Sequence, residues 1–262
     1  MEVDEEFQKM LGKIEAYIQE FGRVVVALSG GVDSSTLAYL CRKVLGEEVF
    51  AATIKSQILP SREVANIKKI VKELKIKHSF IDLDILKFES FRRNDSKRCY
   101  YCKKIFFKNI IEHCKRFGFN VVFDGTNASD RTKFRPGIKA AKELGIRSPW
   151  LELGITKREI RSIAKFSGLS FYNKPSLSCL ATRIPQNEEI DEMKLKMVDE
   201  AENTLIRVAN IQKLKVCYNR NQAIIMVPKN ELHPILKNLD TIKNELKRIG
   251  FASVLVKPTL SP

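Results

Sequence analysis

Short apolar runs and helical stripes alternate along the first two thirds of the chain. Arg23-Val24-Val25-Val26-Ala27-Leu28 is continuous, rich in Val and ends in glycines, which predicts a buried strand. From Ser34 to Leu45, Leu37, Leu40, Cys41 and Val44 recur at helical spacing. Val49 to Ile54 reads as a second strand. Ser61 to Leu74 reads as a helix capped by Ser61, with Val64, Ile67, Val71 and Leu74 on one face. His78 to Asp82 is a third strand. Asn120 to Asp124 is a fourth, after a long helix from about Tyr101 to Lys115. Thr156 opens a helix from Lys157 to Ser167, with Glu159 completing a capping box.

Strands alternating with helices predict an α/β fold: a doubly wound parallel sheet covered by helices on both faces. Right-handed crossovers would bring the strand C-termini to one edge, where ligands bind in such sheets. The loops after Leu28, Thr53 and Asp124 all leave strand C-termini. The pattern breaks at Asn173-Lys174-Pro175-Ser176, and a polar stretch, Gln186-Asn187-Glu188-Glu189, follows Pro185. The domain boundary is placed there, giving a domain of residues 1–186 and a smaller C-terminal α+β domain of residues 187–262. The second domain is expected to run helix (Asp191 to Val208), two strands (Gln212 to Tyr218 and Ala223 to Pro228), helix (Leu232 to Arg248) and strand (Ala252 to Lys257).

With 262 residues and 44% hydrophobic content, the chain is large enough for a well-packed core. No apolar run approaches the ~20 residues that span a bilayer. The start, Met1-Glu2-Val3-Asp4-Glu5-Glu6, is acidic, so a cytoplasmic protein with no membrane partner is expected. The net charge of +15 favours anionic partners: nucleotides, other phosphorylated small molecules or RNA. The competing explanation is solvated surface lysine, as at Lys68, Lys69 and Lys72.

Ser29-Gly30-Gly31-Val32-Asp33-Ser34-Ser35 sits between the first strand and its helix. Gly30 and Gly31 let the backbone turn sharply and approach an anion. The helix that follows points unpaired N–H groups and its positive dipole end at that anion. Ser29, Ser34 and Ser35 add hydroxyls. Asp33 would repel phosphate alone, and a bridging Mg²⁺ explains its presence. The plainer alternative is a strand-to-helix turn capped by Asp33 or Ser34. No Gly-Lys-Ser/Thr triplet is present, so the loop is not of the Walker type. It resembles the PP-loop ATP pyrophosphatase superfamily, whose signature is Ser-Gly-Gly-x-Asp-Ser-Ser/Thr. The resemblance implies cleavage of ATP between its α and β phosphates, with AMP attached to a substrate.

Six cysteines are present, and in a cytoplasmic protein they are not a disulfide scaffold. Cys41 and Cys114 lie in helical patterns as ordinary buried thiols. Cys99 and Cys102 form a Cys-x-x-Cys, which suits a redox pair, a zinc half-site or an iron–sulfur half-site. Zinc would want four ligands, there is no second Cys-x-x-Cys, and His78, His113 and His233 lie in predicted elements. Cys179 is the remaining candidate. Three thiolates suit a 4Fe–4S cluster with one open iron, and the alternative is a structural pair with a lone thiol.

Four further segments resemble the LarE family of ATP-dependent sulfur transferases. They are Arg98-Cys99-Tyr100-Tyr101-Cys102-Lys103-Lys104, Asp124-Gly125-Thr126-Asn127-Ala128-Ser129-Asp130, Arg135-Pro136-Gly137, and Lys174-Pro175-Ser176 with Cys179-Leu180-Ala181-Thr182-Arg183. Together with the loop they span roughly residues 25–185 in matching order. The resemblance implies adenylation of a pyridinium carboxylate and its conversion to a thiocarboxylate, in nickel-pincer nucleotide cofactor biosynthesis. It also implies, in one subgroup, a 4Fe–4S cluster on three cysteines, here Cys99, Cys102 and Cys179, carrying the transferable sulfur. In another subgroup the cysteine matching Cys179 is itself sacrificed.

On this reading ATP is bound by Ser29, Gly30, Gly31, Asp33, Ser34, Ser35, Asp124, Gly125 and Asn127, with Mg²⁺ on Asp33. Arg98, Lys103, Lys104 and Arg183 flank the cysteines and are candidates for steadying thiolates or binding substrate phosphate. The expected partners are a small nucleotide carboxylate and a sulfide donor, in a homo-oligomer. A tRNA is the alternative substrate, since some PP-loop thiolases also use three cysteines and a cluster. A regulator that binds nucleotide without turnover is a third reading. The C-terminal strands carry Lys215-Val216-Cys217-Tyr218 and Ala223-Ile224-Ile225-Met226, where the family is expected to carry an Arg-x-Arg-His-like run.

Overall fold

The computed structural model describes residues 5–130, 136–176, 178–211 and 213–259. Arg135, Leu177 and Gln212, and most of the acidic start of the chain, lie outside the described residues. The chain divides into two compact units. The first comprises Met1–Lys55, Glu63–Leu83 and Cys99–Leu177; the second comprises Ser56–Arg62, Asp84–Arg98 and Ser178–Pro262.

The first unit is built on four strands: β1 (Val24–Ala27), β2 (Val49–Lys55), β3 (Lys77–Asp82) and β4 (Val122–Phe123). Their order is β3-β2-β1-β4 and every pair is parallel. A single parallel bridge between Phe123 and Arg147 extends the β4 edge. The sheet is therefore the predicted α/β layer. β1 is central, and Val24, Val25 and Val26 are fully buried, as a strand covered on both faces requires.

Successive residues of a strand face opposite ways, so the sheet has two cores. On one face Val25, Ala52, Ile54 and Val122 pack with Phe107, Ile110 and Cys114 of the helix Arg98–Lys115 and Ala141 of the helix Pro136–Glu143. Burial pushes the Cys114 thiol up to about 11, as expected of an inert core cysteine. The helix Val32–Leu45 lies against β1 and β2 and packs on the helices Glu5–Gln19 and Lys157–Phe166. Thr156 and Glu159 form the capping box at the start of Lys157–Phe166: the Thr156 N–H donates to Glu159 Oε2 at 2.6 Å.

The second unit holds β5 (Lys215–Asn219), β6 (Gln222–Pro228) and β7 (Ser253–Thr259). β6 is central, antiparallel to β5 and parallel to β7. The helices Glu192–Ala209 and Leu239–Ile249 pack together and on this sheet. It is the expected smaller α+β module.

Several elements differ from expectation, the helix Pro136–Glu143 among them. The helix Glu5–Gln19 is an addition, with Leu11, Ile14 and Ile18 buried. The helix read over Leu232 to Arg248 is two, Leu232–Lys237 and Leu239–Ile249, broken at Asn238, whose side chain donates to the Pro234 carbonyl at 2.9 Å. The N–H of Ser61 is capped by the distant Asp199 carboxylate, 3.2 Å to each oxygen, while the Ser61 hydroxyl accepts from Asn203. Among the described residues no helix is long and apolar enough to cross a membrane.

Candidate functional site

All four strands of the first sheet run the same way, so their C-terminal ends share one edge, and the glycine-rich loop leaves that edge from β1. Gly31 stands just before the helix Val32–Leu45, and no side chain caps it, which leaves the helix N-terminus open to an anion. Gly30 has φ +75°, the left-handed region, and a Cβ there would stand 2.7 Å from Ile67 Cγ1. Hydroxyls brace the turn from inside. The Ser29 N–H donates to Ser34 Oγ at 3.2 Å, the two hydroxyls lie 3.0 Å apart, and Ser34 Oγ donates to the Gly31 carbonyl at 3.3 Å.

Asp33 faces the loop that follows β4. Its Oδ2 accepts from Asn127 Nδ2 and from Lys157 Nζ, each at 3.2 Å. Its Oδ1 is buried and has no hydrogen-bond partner, and the same holds for Ser35 Oγ and Asn127 Oδ1. Buried polar atoms are ordinarily satisfied. Three such oxygens on the phosphate loop and its facing loop would suit a ligand or a hard cation. Trp150, fully buried, donates its indole N–H to the Asp33 carbonyl at 3.0 Å and fixes the first helical turn from behind.

Asp124 directly follows β4 and is nearly inaccessible. Its Oδ1 accepts from the Thr126 N–H at 3.1 Å and from Ser148 Oγ at 2.7 Å, and its Oδ2 from Thr126 Oγ1 at 2.7 Å. Lys103 Nζ lies 3.8 Å from that second oxygen. Asp124 thus shapes the loop that presents Asn127. Gly125 passes so close to the helix start that a Cβ would meet the Ser34 nitrogen at 2.7 Å.

Two lysines at the site were not singled out by sequence reasoning as functional. In sequence Lys157 is only the first residue of a helix. Lys174 is only part of a motif, yet its ammonium donates to the Gly30 carbonyl at 2.8 Å and to Glu63 Oε2 at 2.6 Å. None of these contacts has a local sequence signature, since the partners lie 111 or more positions away. Beneath the loop, His78 Nε2 lies 2.9 Å from Thr53 Oγ1, whose hydroxyl donates to the Leu28 carbonyl at 2.6 Å. Burial pushes the His78 imidazole down to about 4, so it is neutral at physiological pH.

Cys99 and Cys102 belong to the first unit and occupy the first turns of the helix Arg98–Lys115; Cys99 is exposed and Cys102 half-buried. Lys104, also on this helix, donates to Tyr100 at 2.9 Å and to Glu143 at 3.0 Å. Cys179 belongs to the second unit and is half-buried. Its turn is held by backbone contacts there. Arg183, buried, donates through Nη1 to the carbonyls of Ser178 (2.8 Å) and Cys179 (3.1 Å) and through Nε to Glu202 (2.8 Å). Arg98 donates to the Ala181 carbonyl at 3.0 Å. Among the described residues no group of three or more His, Cys, Asp or Glu side chains is gathered as a metal site.

A glycine-rich turn at the C-terminal end of a central parallel strand, opening a helix and faced by acidic and amide side chains, defines a nucleotide-binding α/β protein of the PP-loop class. A sequence profile described as NAD synthase matches residues 6–110. The Synechocystis sp. protein slr1717 is 32% identical over 249 residues, 94% of this chain and 92% of its own length. The Methanocaldococcus jannaschii protein MJ0830 is 30% identical over 253 residues, 95% and 96% of the two chains. The pyridinium-3,5-bisthiocarboxylic acid mononucleotide synthase of Lactiplantibacillus plantarum is 28% identical over 240 residues, 91% and 87% of the two chains. The chain belongs to the family of slr1717 and MJ0830, within the ATP-using PP-loop pyrophosphatase and NAD synthase superfamily.

Proposed function

We propose that this protein is an ATP-dependent sulfur transferase of the LarE type. It joins a substrate carboxylate to AMP, releases pyrophosphate, and replaces AMP with sulfur to leave a thiocarboxylate. The observation that carries the ATP half is the set of partnerless buried oxygens, Asp33 Oδ1, Ser35 Oγ and Asn127 Oδ1, on and facing the phosphate loop. The sulfur half is supported by the likeness to the Lactiplantibacillus plantarum synthase, whose name describes a bisthiocarboxylic acid mononucleotide, and by the three cysteines in the family's order.

The chemistry follows from the carboxylate, whose delocalised charge and poor leaving oxygen make it a weak electrophile. One carboxylate oxygen attacks the α-phosphorus of ATP, and the bond to the bridging oxygen of pyrophosphate breaks. The helix N-terminus and the Lys157 ammonium would offset the charge that develops on pyrophosphate. The open Oδ1 of Asp33 suits Mg²⁺, which when bound supplies further neutralisation. Sulfide sulfur then adds to the acyl carbon, AMP departs with the carboxylate oxygen, and the C–S bond remains. Cys99, Cys102 and Cys179 are the thiol set suited to a 4Fe–4S cluster with an open iron, which when bound would supply that sulfide.

The test is iron and acid-labile sulfide content after strictly anaerobic purification, together with pyrophosphate release in the presence of a pyridinium carboxylate nucleotide. About four irons per chain with carboxylate-dependent release supports the whole reading. Release without iron, even after reconstitution, would make Cys179 a sacrificial sulfur donor and leave the adenylation intact. Release that depends instead on tRNA, bound with a steep salt dependence, would make RNA the acceptor.

A further inference from the structure

The ion pair between Lys174 and Glu63 lies outside the adenylation chemistry, yet it touches the phosphate loop at one atom. Glu63 is 3% exposed, and the Lys174 side chain is 15% exposed. Lys174 Nζ is shared between Glu63 Oε2 at 2.6 Å and the Gly30 carbonyl at 2.8 Å. Glu63 is itself oriented by Asn66, whose amide donates to Oε1 at 3.1 Å. The backbone around Lys174 is pinned as well. Arg161 donates to the carbonyls of Tyr172 at 2.9 Å and Lys174 at 2.8 Å. Arg161 lies on the helix Lys157–Phe166, whose first residue meets Asp33.

Gly30 is the residue whose peptide most needs such a hold. It sits at φ +75° with no Cβ to restrict it, so its carbonyl is free to swing unless something binds it. A carbonyl turned toward a bound anion repels it, while one turned away lets the loop's N–H groups face the anion. An ammonium pulled into a buried pair with a carboxylate is costly unless its remaining donors are used, and here one of them is used on that carbonyl.

We infer that Lys174 is a positioning residue of the phosphate loop: clamped by Glu63, its ammonium fixes the Gly30 carbonyl and thereby sets where the loop's N–H groups point. The inference rests on the nucleotide-binding reading of the loop and deepens it.

The test is calorimetric titration of the full chain with Mg-ATP, with pyrophosphate and with adenosine, alongside thermal melts. Lys174→Met is expected to weaken ATP and pyrophosphate by about tenfold to a hundredfold while leaving adenosine binding unchanged. Lys174→Arg, which keeps a charged donor, is expected to recover most of the loss. If Lys174→Met does not fold, Glu63→Gln/Lys174→Gln removes both charges together, and the same selective loss is expected. A folded variant that binds ATP as tightly as the unmutated chain overturns the inference, and so does an equal loss for adenosine. An unmutated chain that binds no ATP overturns the nucleotide reading, and the inference with it.

Discussion

A Cβ on Gly125 would stand 2.7 Å from the backbone nitrogen of Ser34. The loop after β4 and the first turn of the helix after β1 therefore touch backbone to backbone, and this contact brings Asn127 to Asp33. Gly125→Ala is expected to destabilise the chain by about 1–3 kcal/mol, since backbone must shift to admit the methyl group. Gly31→Ala is the contrast: its φ is −79° and the nearest atom to its Cβ would be Ser29 Oγ at 3.5 Å. Its melting temperature should match the unmutated chain, and thermal melts of the two variants check the pair.

Asp33→Asn keeps the size of the side chain and removes its charge. Lys157 loses its counter-ion and, on the proposed function, Mg²⁺ loses its carboxylate, so pyrophosphate release is expected to fall by at least about a hundredfold. The fold should persist, because the Trp150 bond goes to the Asp33 backbone rather than its side chain. Release assays beside circular dichroism check this, and undiminished release would remove Asp33 from the cation role.

Alanine at Cys99, Cys102 or Cys179 is expected to abolish stable iron binding after anaerobic reconstitution. Cys217→Ser is the control. Cys217 sits in β5 with its sulfur 3.6 Å from Met226 Sδ, and its replacement should leave iron content unchanged. Full iron retention in Cys179→Ala would exclude it as a ligand.

His78 should make the fold acid-sensitive in a defined window. Its imidazole is held at about 4 in the native state by burial, against an ordinary 6.5. Between these values the unfolded chain binds the extra proton and the folded chain does not, so stability falls as pH drops from 6.5 to 4 and this contribution then levels off. His78→Gln keeps a donor for Thr53 and cannot titrate. Melting temperatures of the two proteins over this range should converge toward acid, with the variant showing the flatter profile.

The parallel sheet was legible because strands buried on both faces are written as unbroken apolar runs such as Val24-Val25-Val26. The loop was legible because Gly30, Gly31 and Asp33 act within a few residues of one another. What escaped is non-local. Lys157 and Lys174 matter through partners far away in sequence, and Ser61 is capped by Asp199 from another element. The helix Glu5–Gln19 escaped for a different reason: its buried stripe of Leu11, Ile14 and Ile18 was present but lay before the first strand, outside the alternation that organised the reading. The break at Asn238 depends on its side chain bonding back to Pro234, which spacing alone does not reveal.

Trp150 is the chain's single tryptophan, and its indole nitrogen is bonded to the carbonyl of Asp33 in the phosphate loop. On the proposed function, the protein thus carries a built-in optical reporter beside the loop that would receive triphosphate. Intrinsic fluorescence, excited selectively at the indole, will follow loop occupancy in real time without any label, and stopped-flow mixing will separate nucleotide arrival from the slower chemistry that follows.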